Sequence, residues 1–292
     1  MFEACYPDIP WAQWRANWPL SEHSQWVQTP NQRWHVQRLG QGPLAVLLHG
    51  TGATTHTWRE SAPLLARDHD VLCVDLPGHG FSSGLQGRAP TPANVSWELN
   101  ALLHTLGLTP SVLVGHSAGA LVAAHWWLSH GIQTQGAATP SLVVINPAWQ
   151  ALPGPSQWLF PLGAWLIDKN PLSGWMLAQR ARQPQVVERL LAQTGSHLTP
   201  LAVDIYRRML SEPRHVRGVL QLVRDKATGA LFDESLEVGM VCRGHCFANG
   251  LIMRAVGDRM IIAPPLVITR EEVDFMCDVL EGAFAAVQEG RA

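Results

Sequence analysis

The chain has 292 residues, with 21 Lys and Arg against 23 Asp and Glu, for a formal net charge of −2. Hydrophobic residues make up 47% and charged ones 15%, which excludes disorder of the whole chain. The near-neutral balance argues against a nucleic-acid partner, five cysteines are too few for a disulfide scaffold, and no run of about 18 apolar residues is present to span a bilayer. The start, MFEACYPDIPWAQWR, has an acid and prolines where a secretion signal has a basic region and an apolar run, so a cytoplasmic protein is expected.

Trp26-Val27-Gln28 and Trp34-His35-Val36-Gln37 flank a Thr29-Pro30-Asn31-Gln32 turn signal, so the chain is expected to open on a hairpin. Four short apolar runs follow: Leu44–Leu48, Val71–Val74, Val112–Val114 and Leu142–Ile145. Each reads as a strand buried on both faces, as in a parallel sheet. Helical patterns separate them. One has Thr91 as N-cap and Pro92 at its first position, turns Val95, Leu99, Leu102 and Leu106 to one side, and stops at Gly107. This alternation predicts a doubly wound α/β sheet.

Residues 150–218 break the rhythm. Pro184, Pro200 and Pro213 each stand where a short helix can begin, so a helical cap is expected after the fourth parallel strand. Beyond it, Val238, Val241, Cys242 and Cys246 mark a helix face closed by Asn249-Gly250. Leu251–Arg254 and Met260–Ala263 read as a strand pair. Thr269 and Glu272 form a capping box before a final amphipathic helix through Val287. The composition shifts along the chain: all 13 tryptophans lie at or before Trp175, and residues 226–292 carry ten acids and six bases. Three segments result: a core over 1–149, a cap over 150–218 and a different α/β segment over 219–292.

The sharpest chemical signal is Gly115-His116-Ser117-Ala118-Gly119, a G-x-S-x-G run between a strand and a helical stretch. That context lifts a serine hydroxyl above the sheet, and Gly115 and Gly119 allow the tight strand–helix approach. Ser117 is the expected nucleophile. The Ala118 amide, at a helix N-terminus, is placed to receive an oxyanion. A second donor is expected from His49-Gly50-Thr51-Gly52, at the amide of Thr51. His116 reads as a neighbour packing the elbow, and His49 and His79 as loop-holding residues. His215 reads as an exposed cap residue, with a base role left open. Cys242-Arg243-Gly244-His245-Cys246 lacks the second pair that structural zinc needs, so packing is expected and no metal.

The strings HGTGA from His49, DLPGHGFS from Asp75 and GHSAG from Gly115 resemble the α/β-hydrolase superfamily. More closely, WHVQR from Trp34, HGTGATTHTWR and EPRHVRGVL resemble the magnesium-chelatase accessory hydrolases of bacteriochlorophyll biosynthesis, over roughly residues 10–220. The resemblance implies a photosynthesis-linked role beside magnesium insertion into a tetrapyrrole. Ser117, in place of an aspartate, disfavours the dehalogenase and epoxide-hydrolase chemistries of the fold. The superfamily's triad runs Ser, acid, His, yet the last histidine here is His245. From about residue 219 the chain resembles the small domain of class III pyridoxal-phosphate aminotransferases. That likeness implies that Arg254, in LIMRAVGD, binds a substrate carboxylate.

The expected architecture is therefore a truncated α/β-hydrolase joined to an aminotransferase-like tail, with the join between Arg217 and Lys226. Val256-Gly257-Asp258-Arg259 before Pro264-Pro265 also mimics the surroundings of a hydrolase acid, which makes Asp258 an alternative triad member. Without an imidazole a serine keeps its ordinary pKa and is a poor nucleophile. The first reading is an ester or acyl hydrolase needing no cofactor, impaired by the missing histidine. Three others stay open. One is a non-catalytic accessory protein whose Trp-rich cap holds a small hydrophobic ligand or tetrapyrrole, with peripheral membrane contact. Another is a transaminase fragment, which would use pyridoxal phosphate only beside a missing large domain. The last is a fusion without joint function.

Overall fold

The apolar runs form one mixed, six-stranded sheet. In the computed structural model the described residues are 7–131, 140–147, 170, 172–183, 185–193, 198–225, 254–256, 259–261 and 278–279. The chain divides into two units, Met1–Thr228 and Gly229–Ala292. In the first, the strands are β1 Ser24–Thr29, β2 Gln32–Gly40, β3 Leu44–Leu48, β4 Asp70–Val74, β5 Pro110–His116 and β6 Ser141–Ile145. Their spatial order is β1-β2-β4-β3-β5-β6. β1 and β2 run antiparallel to their neighbours, and β4, β3, β5 and β6 are parallel. The chain crosses from β4 to the far side of β3 to make β5, so the C-terminal ends of β3 and β5 flank a topological switch point, the place where open α/β sheets bind ligands.

Side-chain alternation splits the core across the sheet. Val46, Leu48, Leu72 and Val74 face one way, with α2 (Pro92–Leu106), α3 (Ala118–Trp126) and Trp34. Ala45, Leu47, Val71 and Cys73 face the other, with Trp58 and Ala62, the latter in α1 (Ser61–Leu65). β3 and β4 are buried along their whole length. Each fully buried leucine contributes about 1.5–3 kcal/mol. α2 starts as expected: Thr91 Oγ1 accepts from the Asn94 N–H at 3.2 Å, Pro92 follows, and Gly107 ends the helix at φ 64°.

β6 departs from expectation. Its residues alternate between exposed and half-buried, with Val143 45% and Ile145 40% exposed. It pairs with β5 only and is an edge of the described sheet, and an edge strand lacks the second neighbour that would cover it.

The cap contributes α4 (Ser173–Ala181), α5 (Val186–Gln193), α6 (Pro200–Leu210) and α7 (Pro213–Asp225) to the described residues. Pro200 opens α6 behind a Thr199 N-cap and Pro213 opens α7. An N-terminal arm of short 3-10 turns places Trp14 and Trp18 against Phe81 and against Ile205 and Met209 of α6. α7 is the element that ties cap to core. His215, Gly218, Val219 and Leu222 recur at helical spacing on one side, and Leu222 enters the main core. Gly218 lies directly on Gly78: a Cβ on Gly218 would overlap the Gly78 carbonyl. The join expected between Arg217 and Lys226 thus begins inside an unbroken helix.

In the second unit, β7 (Arg254–Val256) and β8 (Arg259–Ile261) pair antiparallel with Val256 opposite Arg259. Of the strands expected over Leu251–Arg254 and Met260–Ala263, residues 251–253 and 262–263 lie outside the described residues. The expected helices over 238–246 and 273–287 lie outside the described residues, except for 278–279.

Gly218→Ala tests the contact that docks the cap. Alanine favours a helix interior by about 1 kcal/mol, so a surface position would gain stability. Here the new methyl meets backbone, and urea denaturation is expected to show a net loss of about 1–3 kcal/mol.

Candidate active site

Ser117 stands between β5 and α3, at φ 53° and ψ −111°. A serine at positive φ is strained, and the neighbouring contacts hold it there. Its N–H donates to the Ile145 carbonyl of β6 at 2.9 Å, which fastens the elbow to the next strand. A Cβ on Gly115 would overlap Ala120 in α3, and one on Gly119 would overlap the carbonyls of Leu48 and His49. Only glycine permits the first turn of α3 to sit that close to the end of β3. Ser117 is half-buried and Ala118 is fully buried at the helix N-terminus. Among the described residues, no side chain hydrogen-bonds Ser117 Oγ.

The loop after β3 backs onto this elbow. A Cβ on Gly50 would stand 3.0 Å from both Ser117 Cβ and His116 Nδ1. Residues 50–53 form a turn in which the Ala53 N–H donates to the Gly50 carbonyl at 3.2 Å. Gly52 takes φ 76° in its third position, the requirement of a type II turn. Thr51 sits at the turn's second position. His49 holds the turn from behind. Its Nε2 accepts from the Leu76 N–H at 2.9 Å, so Nδ1 carries the proton and donates to the Gly50 carbonyl at 2.7 Å. Burial keeps His49 neutral by lowering its pKa, against the pull of Asp75. This is the loop-holding role read from the sequence.

Beneath the loops lies a buried carboxylate that the sequence reading passed over. Asp75, at the end of β4, is fully buried. One oxygen meets His35 Nδ1 at 2.7 Å and the Phe81 N–H at 3.1 Å, and the other accepts from the Thr55 N–H at 2.6 Å. Ser82 Oγ donates to the Asp75 backbone carbonyl at 2.7 Å. Burial pushes this carboxyl up, but His35, His49 and the Thr55 N–H outweigh it and hold Asp75 down to about 2. The signal was present: an acid closing an apolar strand, followed by Gly78-His79-Gly80, needs donors wherever it is buried.

His215 corrects an expectation. It is fully buried in α7, not exposed on the cap. Its Nδ1 accepts from the Gly80 N–H at 3.1 Å, so Nε2 carries the proton and donates to the Gly52 carbonyl at 3.2 Å. Both nitrogens are committed to backbone, which leaves neither to act as a base. Burial pushes its pKa down to about 4. His79 lies between His49 and His215, tilted to the first and edge-on to the second, with ring centroids 5.4 and 5.3 Å away. His56 is buried against Tyr206 of α6 and is pushed down to about 3.

Ser117, Ala118, Gly115, Gly119 and Thr51 are thus gathered at the ends of β3 and β5. Arg254 opens β7 in the second unit. Asp258 and the 242–246 run lie outside the described residues. Among the described residues no group of three or more His, Cys, Asp or Glu is arranged to hold a metal, and no helix is long and apolar enough to cross a membrane.

These shifts fix how stability depends on pH. The unfolded chain binds protons at His215 and His56 that the folded chain refuses between pH about 6.5 and 4, so stability falls as pH drops through that window. Asp75 adds stability above pH about 4 that is lost as pH falls towards 2. Urea midpoints measured from pH 7 to pH 4 should decline, and His215→Gln should flatten the slope by up to about 1.4 kcal/mol per pH unit. Asp75→Ala should cost about 3–5 kcal/mol at pH 7, because it strands His35 and two buried N–H groups.

Known proteins share sequence and fold with this chain. The model of the alpha/beta hydrolase family matches residues 45–272. The magnesium-chelatase 30 kDa subunit of Rhodobacter capsulatus is 29% identical over 218 residues, 74% of each chain. The putrescine–pyruvate aminotransferase of Pseudomonas aeruginosa is 44% identical over 96 residues, which are 32% of this chain and only 21% of that one. A Pseudomonas aeruginosa structure assigned as an epoxide hydrolase superposes with a TM-score of 0.56 at 25% identity, covering 70% of each chain. A match through residues 45–272, on a sheet that carries its elbow at the switch point, means that the chain belongs to the alpha/beta hydrolase family.

Proposed function

We propose that Ser117 is a nucleophile for ester or acyl substrates. The observation that carries this is its backbone: a serine held at φ 53° where the first turn of α3 meets the end of β3. In this reading Ser117 Oγ adds to the carbonyl carbon as its proton passes to water and the C=O π pair moves to oxygen; collapse of that adduct expels the leaving group, and water then hydrolyses the acyl-serine. The N–H groups of Ala118 and Thr51 receive that oxygen, aided by the α3 dipole. No cofactor enters the step. Among the described residues no imidazole bonds Ser117 Oγ. A site with an oxyanion hole and no working triad retains about 10³-fold catalysis over water.

The 74% two-way coverage with a protein named as a magnesium-chelatase subunit supports placing this chain beside magnesium-tetrapyrrole biosynthesis. The same likeness favours a second reading, a non-catalytic accessory protein that holds a tetrapyrrole or another small hydrophobic ligand. Exposed Leu172, Trp175 and Met176, at the start of α4 and within it, supply an apolar surface that suits a hydrophobic partner, a membrane surface included. The short aminotransferase match is in keeping with the tail's resemblance to that family, which implies a carboxylate-binding role for Arg254. Transamination needs pyridoxal phosphate on a large domain with its own lysine, so it is not proposed for this chain alone.

A fluorophosphonate probe separates the readings. Labelling of the wild type that is abolished in Ser117→Ala is expected. No labelling, together with submicromolar quenching by protoporphyrin, would select the accessory reading.

A further inference from the structure

Among the described cap residues, His215 hydrogen-bonds both mouth loops. α7 lies across both mouth loops: Gly218 touches Gly78, Val219 lies beside Gly52, and His215 bonds to Gly80 and Gly52. The loop holding Thr51 has two carbonyls that set its shape. The Gly50 carbonyl is taken twice, by the Ala53 N–H and by His49 Nδ1. The Gly52 carbonyl is taken by His215 Nε2 at 3.2 Å. The first pair of bonds comes from within the core. The second comes from the cap, 163 residues further along the chain.

In a type II turn, the orientation of the central peptides decides where the N–H groups point. The Gly52–Ala53 peptide is planar and is held at both ends, at its N–H by the Gly50 carbonyl and at its carbonyl by His215 Nε2, so the cap completes a restraint that the core begins. We infer that His215 is a positioning residue: by holding the Gly52 carbonyl it steadies the turn that carries the Thr51 amide beside Ser117 and makes the oxyanion site depend on a docked cap. The tautomer follows from the same contacts, because the Gly80 N–H on Nδ1 leaves the proton on Nε2, where Gly52 needs it. Burial, which keeps the imidazole uncharged, preserves that assignment at neutral pH.

The inference rests on Ser117 being the nucleophile, and two measurements separate the two claims. His215→Asn places an amide oxygen near the position of Nδ1, keeps the acceptor for Gly80 and loses the donor to Gly52. His215→Gln reaches further and keeps a donor near the position of Nε2. The first measurement is the second-order rate of fluorophosphonate labelling, corrected for the folded fraction of each variant. His215→Asn should label about tenfold more slowly and His215→Gln within about threefold of the wild type, a smaller effect than deletion of an oxyanion donor. The second is amide hydrogen exchange over residues 50–53, which needs no activity. It should accelerate in His215→Asn by tenfold or more, with β3 unchanged, and return towards the wild type in His215→Gln. Equal labelling by Asn and Gln variants, or exchange that rises in β3 as much as in the loop, would overturn the positioning role. Failure of the wild type to label would instead remove the nucleophile, and loop exchange alone would then decide whether His215 holds the turn.

Discussion

A single buried carboxylate organises the mouth of this sheet. Asp75 is fully buried, and protein donors meet each of its oxygens. The donors come from three places: His35 on β2, Thr55 in the loop after β3, and Phe81 in the loop after β4. Because one group binds all three, the loops that frame Ser117 cannot move independently. The charge is thus a structural constraint whose effect is felt at the elbow without touching it. Replacing it by an apolar residue would leave several polar groups buried and unmet, which is why such a position tolerates little change.

Above that anchor, the imidazoles act as neutral brackets. His49 and His215 each offer one accepting and one donating nitrogen to backbone groups on different segments. An imidazole is well suited to this work, since it bridges a carbonyl and an N–H at fixed angles and stays uncharged when buried. The same commitment removes them from proton transfer. Histidines are plentiful around this site, yet their number says little about base catalysis once their bonds are traced.

How much was legible in the sequence depended on the range of the interaction. The four parallel strands, the Thr91-Pro92 cap and the Gly115–Gly119 elbow are local patterns, and each was found within a few residues of its expected place. β6 reads as buried because Leu142–Ile145 are all apolar, but its position at the sheet edge depends on what pairs beside it. His215 and Asp75 were misjudged or missed for a related reason. Their partners lie 135 and 40 residues away for Gly80 and His35, and no periodicity encodes such pairs. The Gly218–Gly78 contact is of the same kind, since a glycine inside a helix reads as a weakness until the opposing backbone is seen.

Cys73 lies on the central strand β4 between Val71 and the end of the strand, with no exposed surface. Burial pushes its thiol well above the ordinary range, so almost none of it is thiolate at neutral pH. An alkylating reagent can reach it only after the sheet has parted. Its rate of modification therefore counts how often the heart of the protein opens, and gives an internal clock for conformational fluctuation that needs neither substrate nor label.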